Sequence, residues 1–122
     1  MNIQRTNTIL YCRRWQETVA FYREVFDFPI SYQTDWFIEV QLTPHSYLSI
    51  ADESHASIHS AEGQGITLSW QVANVHEIHG ALVERKIVVT PIRKKWGANL
   101  FYLHDPEGHR IELWQPATAS LP

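Results

Sequence analysis

Asp105-Pro106-Glu107-Gly108-His109-Arg110-Ile111-Glu112-Leu113 contains a turn and a strand, each with its own physical signature. Proline at the second turn position presets φ, the Asp105 side chain can bond back to the backbone, and Gly108 supplies the left-handed conformation. The turn joins a strand at Leu100–Leu103 to another at Arg110–Gln115 as a β-hairpin. Side chains alternate along a strand, so Ile111 and Leu113 face one way while Arg110, Glu112 and Trp114 face the other. Two readings of Glu112 follow: a solvated carboxylate on an outward face, or a carboxylate in a concave cavity with Ile111 and Leu113 set against helices. The register is also open. A glycine bulge pairs Tyr102 with Glu112; a two-residue loop pairs Phe101 instead.

Upstream, strand-like and helix-like segments alternate. Thr8–Cys12 is a β-favouring run, and Trp15, Val19, Tyr22 and Phe26 fall at spacings of 4, 3 and 4, which marks one face of a helix. Ile30–Gln33 and Trp36–Leu42 flank a tight Thr34-Asp35 connection, and Tyr47–Ala51 is a further short run. Residues 52–65 are polar and aperiodic and read as a linker. Ile66–Val72 alternates again. Asn74, with Glu77 three residues on, is a capping-box-like start to a helix carrying Val75, Ile78 and Leu82 on one face. A strand is expected at Ile87–Val89, before the hairpin, and Arg93-Lys94-Lys95 reads as a basic loop. The last eight residues, Thr118–Pro122 included, read as a frayed tail.

A shift of about 60 positions lays Asn7 on Thr67, Cys12 on Val72, Trp15 on Val75 and Tyr22 on Leu82. Both halves therefore read β-α-β-β-β, and an internal duplication is the economical account. The repeats are residues 5–51 and 66–116 within one domain, 1–122. An ordinary ferredoxin-like α+β sandwich is the alternative that yields a similar string.

Composition narrows the function classes. With 122 residues, 44% hydrophobic and 19% charged, the chain can bury about two-thirds of its unfolded surface without disulfides. Thirteen acids against ten Lys and Arg give a net charge of −3, which argues against a nucleic-acid partner, since that affinity is built from clustered cations. Cys12 is the single cysteine, and no run approaches the length of a bilayer span, so no membrane partner and a cytoplasmic location are expected.

The hairpin run Asp105–Leu113 resembles the final hairpin of the vicinal oxygen chelate superfamily, which includes glyoxalase I, extradiol dioxygenases and bleomycin resistance proteins. Glu17-Thr18-Val19-Ala20-Phe21-Tyr22-Arg23-Glu24-Val25-Phe26-Asp27-Phe28 resembles the first helix of that group with its Phe-Tyr pair. The resemblance covers about residues 5–116. It implies an α+β fold of two βαβββ modules whose sheets curl around a cavity, commonly completed in a homodimer. Metal-dependent members place His, Gln or Glu ligands at four points, which fall here on Asn7, Ser49, Thr67 and Glu112. Only Glu112 is an ordinary ligand for a transition metal. The expectation is therefore no metal and no cofactor.

With Glu112 inward, alternation places Asn7, Tyr11, Tyr47, Ser49, Thr67, Ser69, Gln71 and Trp114 on the same lining, with Tyr102 as the bulged-register partner and Trp96 as a rim or lid. Cys12 should be a buried, inert thiol. His55, His59, His76 and His79 should be mostly solvated. His104 and His109 flank the turn, with solvent as their expected surroundings unless one rims the cavity. An aromatic wall with few polar groups suits an organic ligand. The reading is a non-catalytic small-molecule binding protein, homodimeric and of the bleomycin-resistance type, sequestering a cationic or aromatic compound. Alternatives are a metal-independent isomerase, lyase or hydrolase with Glu112 as general base, a glyoxalase- or dioxygenase-like metalloenzyme with atypical ligands, and a scaffold acting through its surface.

Overall fold

Thr6–Cys12 forms β1, Trp15–Glu24 α1, Ile30–Gln33 β2, Phe37–Thr43 β3 and Ser46–Asp52 β4. Then come Thr67–Gln71 as β5, Val75–Glu84 as α2, Arg93–Lys95 as β6, Ala98–His104 as β7 and Arg110–Pro116 as β8. The structure is a computed structural model and describes residues 1–117. Two units separate between Gln64 and Gly65. The first has a four-stranded sheet in the order β1-β4-β3-β2, the second one in the order β5-β8-β7-β6. In each, the first and last strands of the unit pair in parallel while the remaining neighbours are antiparallel. The same βαβββ topology thus occurs twice, and the ferredoxin-like alternative is excluded.

In the first unit, the alternation of β1, β3 and β4 buries Leu10, Cys12, Ile38, Val40, Leu48 and Ile50 on one side, with Val19 and Tyr22 of α1 also in the core. Each such side chain removed from water contributes roughly 1.5–3 kcal/mol. Glu17 in the first turn and Arg23 in the last complement the helix dipole. Trp15 anchors the helix start, donating from Nε1 to the Ile50 carbonyl at 2.8 Å. The helical pattern expected through Phe26 stops at Glu24. Phe26 instead stacks against Tyr22 and Phe28 at 6.1 and 5.3 Å between ring centroids.

In the second unit, Leu68, Val75, Leu82, Phe101, Leu103, Ile111 and Leu113 are buried. Asn74 caps α2, its side chain accepting from the Glu77 N–H at 3.1 Å, and the Val75 N–H donates to Gln115 Oε1. Lys86, at φ 62°, closes the helix: its N–H bonds the Val83 carbonyl and the Ile87 N–H bonds the Leu82 carbonyl.

That closure corrects one expectation. Ile87–Val89 is not a strand, because Ile87 is spent on the helix cap, and Val88 is exposed. The strand is Arg93–Lys95, so the basic triplet expected as a loop is instead β6. Trp96 and Gly97, at φ 48° and 72°, form the two-residue turn that sets its register with β7. An edge strand of three cations resists pairing with another sheet. Part of the stretch expected as a frayed tail is strand. β8 runs through Pro116 and the Ala117 N–H bonds the Gly97 carbonyl; the rest of that tail, 118–122, lies outside the described residues. The linker carries a 3₁₀ turn at Glu53–His55. No helix among the described residues is long and apolar enough to cross a membrane.

Candidate functional site

The β7–β8 turn sets the geometry of the second unit. Gly108 at φ 105° lets its N–H reach the Asp105 carbonyl, while the Asp105 N–H bonds the His109 carbonyl. This places Tyr102 opposite Glu112, the bulged one of the two registers. Asp105 holds the turn from inside: Oδ1 accepts from the N–H groups of Glu107, Gly108 and His109, each at 2.9 Å. Oδ2 lies 2.8 Å from His109 Nδ1. His109 is accordingly buried, which corrects its expected place in solvent, whereas His104 is exposed. His79 is half-buried, with Nε2 3.0 Å from the Thr90 carbonyl oxygen and its ring edge-on to Phe101.

On the face opposite the buried core of this unit stand Thr67, Ser69 and Gln71 of β5, Tyr102 of β7, and Arg110, Glu112 and Trp114 of β8. Parallel pairing sets Ser69 beside Glu112 and Gln71 beside Trp114. The Ser69 hydroxyl donates to Glu112 Oε1 at 2.6 Å. Among the described residues, Oε2 of Glu112 has no hydrogen-bond partner. Arg110 donates from Nε to Thr67 Oγ1 at 2.9 Å, and its Cζ lies 4.4 Å from the centre of the Tyr102 ring. Trp96 is not part of this group. It is 87% exposed at the β6–β7 tip, with Lys95 Nζ 5.4 Å from its ring.

In the first unit, the corresponding face brings Asn7, Tyr47 and Ser49 together, with Tyr11 farther along β1 opposite Ala51. Its centre is Glu39 of β3, which the sequence reading did not select. Glu39 accepts from the Ser31 hydroxyl at 2.8 Å, from Asn7 Nδ2 at 3.4 Å and from Arg5 Nη2 at 3.1 Å. The Arg5 guanidinium lies 3.6 Å from the Tyr47 ring centre. Ser49 is fully buried and donates to Asn7 Oδ1 at 2.9 Å. The signal for Glu39 was present: Ile38 and Val40 alternate inward, so Glu39 must share a face with Ser49, its partner on β4. A cleft of about 620 Å³ also opens in this unit beside Trp15, Val19, Arg23 and Phe28, but none of the residues around Glu39 lines it.

The four positions to which the resemblance assigns metal ligands do not carry a donor set that suits a divalent transition ion. Asn7 Oδ1 and Thr67 Oγ1 already accept hydrogen bonds, the latter from a guanidinium. Ser49 is a neutral hydroxyl that is donating its proton, and Glu112 is the single anionic donor. No group of three or more His, Cys, Asp or Glu among the described residues could hold a metal ion.

Two βαβββ units with these faces define a class, and the comparisons agree with it. Residues 5–117 match the family described as the Glyoxalase-like domain. The chain belongs to that family, within the vicinal oxygen chelate superfamily and its glyoxalase/bleomycin resistance fold. Lactoylglutathione lyase from Agrobacterium tumefaciens is 22% identical over 90% of this chain and 91% of that one, with a TM-score of 0.76. TnmS3, an antibiotic binding protein from Streptomyces sp. CB03234, is 18% identical over 96% and 97%, with a TM-score of 0.77. A bleomycin resistance determinant encoded on the transposon Tn5 is 18% identical over 92% and 97%, with a TM-score of 0.70. At these identities the likeness is one of fold. No curated protein matches the chain.

Proposed function

We propose that this protein binds and sequesters a small organic molecule, with no metal, and that the second-unit face around Glu112 is its main contact. One observation carries the reading: Ser69 holds Glu112 from the neighbouring strand β5, with Tyr102 opposite on β7 and Trp114 two residues along β8, so an anionic acceptor stands among aromatic side chains. Such a setting favours an amine or an electron-poor ring through charge and cation–π attraction. Gln71, beside Trp114, completes the ligand contacts on this face in this reading, and Thr67 holds Arg110 at its edge. Two structural neighbours, named as an antibiotic binding protein and a bleomycin resistance determinant, support a binding role, while a third is named as a lyase. The protein acts as a cytoplasmic homodimer, with neither nucleic acid nor membrane as partner.

The test is tryptophan fluorescence titration with a panel of aromatic amines, the part of the quenching lost in Trp114→Phe being that of Trp114. Saturable quenching at micromolar concentration, weakened at least tenfold in Glu112→Gln, is expected; equal affinity of the two proteins overturns the reading. Turnover of any panel member that persists in EDTA and disappears in Glu112→Gln replaces sequestration with metal-independent catalysis. Light scattering at the same concentrations checks the dimer.

A further inference from the structure

The second-unit face carries more than an acceptor for cations. β8 presents Arg110, Glu112 and Trp114 at two-residue intervals on one side, so their Cα atoms step along the strand by about 6–7 Å each time. The first of these is a prepared cation. Arg110 is fixed at two points, by the Nε bond to Thr67 Oγ1 and by the Tyr102 ring diagonally across the hairpin. Among the described residues, its two terminal nitrogens have no acceptor. A guanidinium held by its Nε and one flat side directs its remaining N–H groups outward as a fork, the geometry that matches a planar oxyanion. His104 pairs with Arg110 across β7 and is exposed, so the nearest neighbour along the sheet is not an acid that would occupy the fork.

From this array we infer that the ligand is amphoteric: an oxyanion, carboxylate or phosphate-like, on Arg110; an ammonium or other donor on Glu112; and an aromatic group on Trp114, in that order. The inference rests on the proposed binding function and narrows its ligand class. Arg110 sets specificity. A cationic compound lacking the acid leaves the fork solvated and gains nothing from it, while a compound carrying the acid gains charge-assisted bonds from a side chain that is already ordered.

The experiment uses four probes, read by tryptophan quenching on the full chain. They are N-benzyl-4-aminobutanoate, its methyl ester, 3-(benzylamino)propylphosphonate and benzylamine. The two acids should bind roughly 10–100-fold more tightly than the ester, the range expected for bonds to a charged group. Whichever acid is tighter identifies the oxyanion. Arg110→Gln should erase the gap between acids and ester, the ratio of the two affinities being the quantity read. Arg110→Lys should lose most of the gap despite keeping the charge, because it lacks the fork, and it serves alone if the glutamine variant does not fold. Glu112→Gln should weaken all four probes. If ester and acids bind the native protein equally and still depend on Glu112, the amphoteric ligand is wrong and the binding function stands. If none of the four binds, both fall.

Discussion

Replacing Asp105 with alanine should cost about as much stability as any single polar substitution in this chain can. The carboxylate has no exposed side-chain surface and serves four partners at 2.8–2.9 Å: three backbone N–H groups and the His109 ring. Bonds to a charged acceptor contribute about 1.5–3 kcal/mol each, so simple addition gives roughly 6–12. The four share one group, however, and a vacated turn relaxes and admits water. The net loss should therefore lie well below the sum, at about 3–5 kcal/mol, the equivalent of roughly two such bonds. With a urea m-value of about 1.5 kcal/mol/M, the unfolding midpoint should fall by about 2–3 M, a large part of the stability of an ordinary domain. Asp105→Asn keeps Oδ1 as an acceptor and loses only the charge and the second oxygen, so its loss should be smaller, about 1–2 kcal/mol. Urea titration followed by tryptophan emission measures both. A midpoint for Asp105→Ala within about 0.5 M of the native protein would refute the claim that this carboxylate organises the hairpin, and with it the explanation of why Tyr102 faces Glu112.

Two substitutions in the β6–β7 turn should move stability in opposite directions. Gly97→Ala puts a Cβ at φ +72° where it meets nothing within 4 Å, so only backbone strain is added, about 1 kcal/mol of loss. Trp96→Asn relieves a bulky residue at φ 48° and should gain about 0.5–1 kcal/mol; thermal midpoints that shift the same way for both would contradict the turn assignment. Glu39→Gln breaks the pair with Arg5 on a carboxylate that is 13% exposed, and should lose about 1 kcal/mol by urea titration; a stability equal to the native protein's would remove Glu39 from the centre of that face. Asp52 is held below its ordinary 3.8 chiefly by the Ser54 backbone N–H, then by the Ser54 hydroxyl, with His55 adding a smaller favourable charge. A depressed carboxyl stabilises the fold above its unfolded value and loses that contribution as the pH falls through the folded value. The stability difference between native protein and Asp52→Asn should therefore shrink between about pH 5 and pH 2.5, and a constant difference would count against the cap.

What was legible in the sequence was local. Asp105, Pro106 and Gly108 specify a turn because their preferences act within four residues, and Asn74 with Glu77 specifies a helix start for the same reason. The side of the sheet on which Tyr102 falls was not legible. It depends on the backbone of Gly108, which can close the hairpin with or without a bulge, and one residue of slip carries every side chain to the other face. Ile87–Val89 misled because β-branched residues signal a strand wherever they lie, while the strand went to Arg93–Lys95, whose cations suit an edge rather than a core. His109 looked solvent-facing because turns usually are. Its burial follows from Asp105, four residues back, having a second oxygen left over once the backbone was satisfied.

The two glutamates on the sheet faces show where chemical reading outruns both pattern and resemblance. Glu112 was found by its motif, and Glu39 was missed because it stands on β3, where the resemblance places no ligand. Yet the units solve one problem in parallel ways. In each, an arginine lies against a tyrosine ring, and a carboxylate on the same face accepts a serine hydroxyl. The difference is in what the arginine does. Arg5 is neutralised by Glu39 at 3.1 Å, so that face is internally balanced and has no charge to offer. Arg110 is tied to a neutral hydroxyl, and Glu112 to another, so a cation and an anion stand on one strand without pairing to each other. Two unpaired opposite charges held apart by separate neutral anchors are costly unless a third party satisfies both, and water does so without specificity. That asymmetry is what supports the proposal that the second unit's face, rather than the internally balanced face of the first, recognises a ligand carrying both charges.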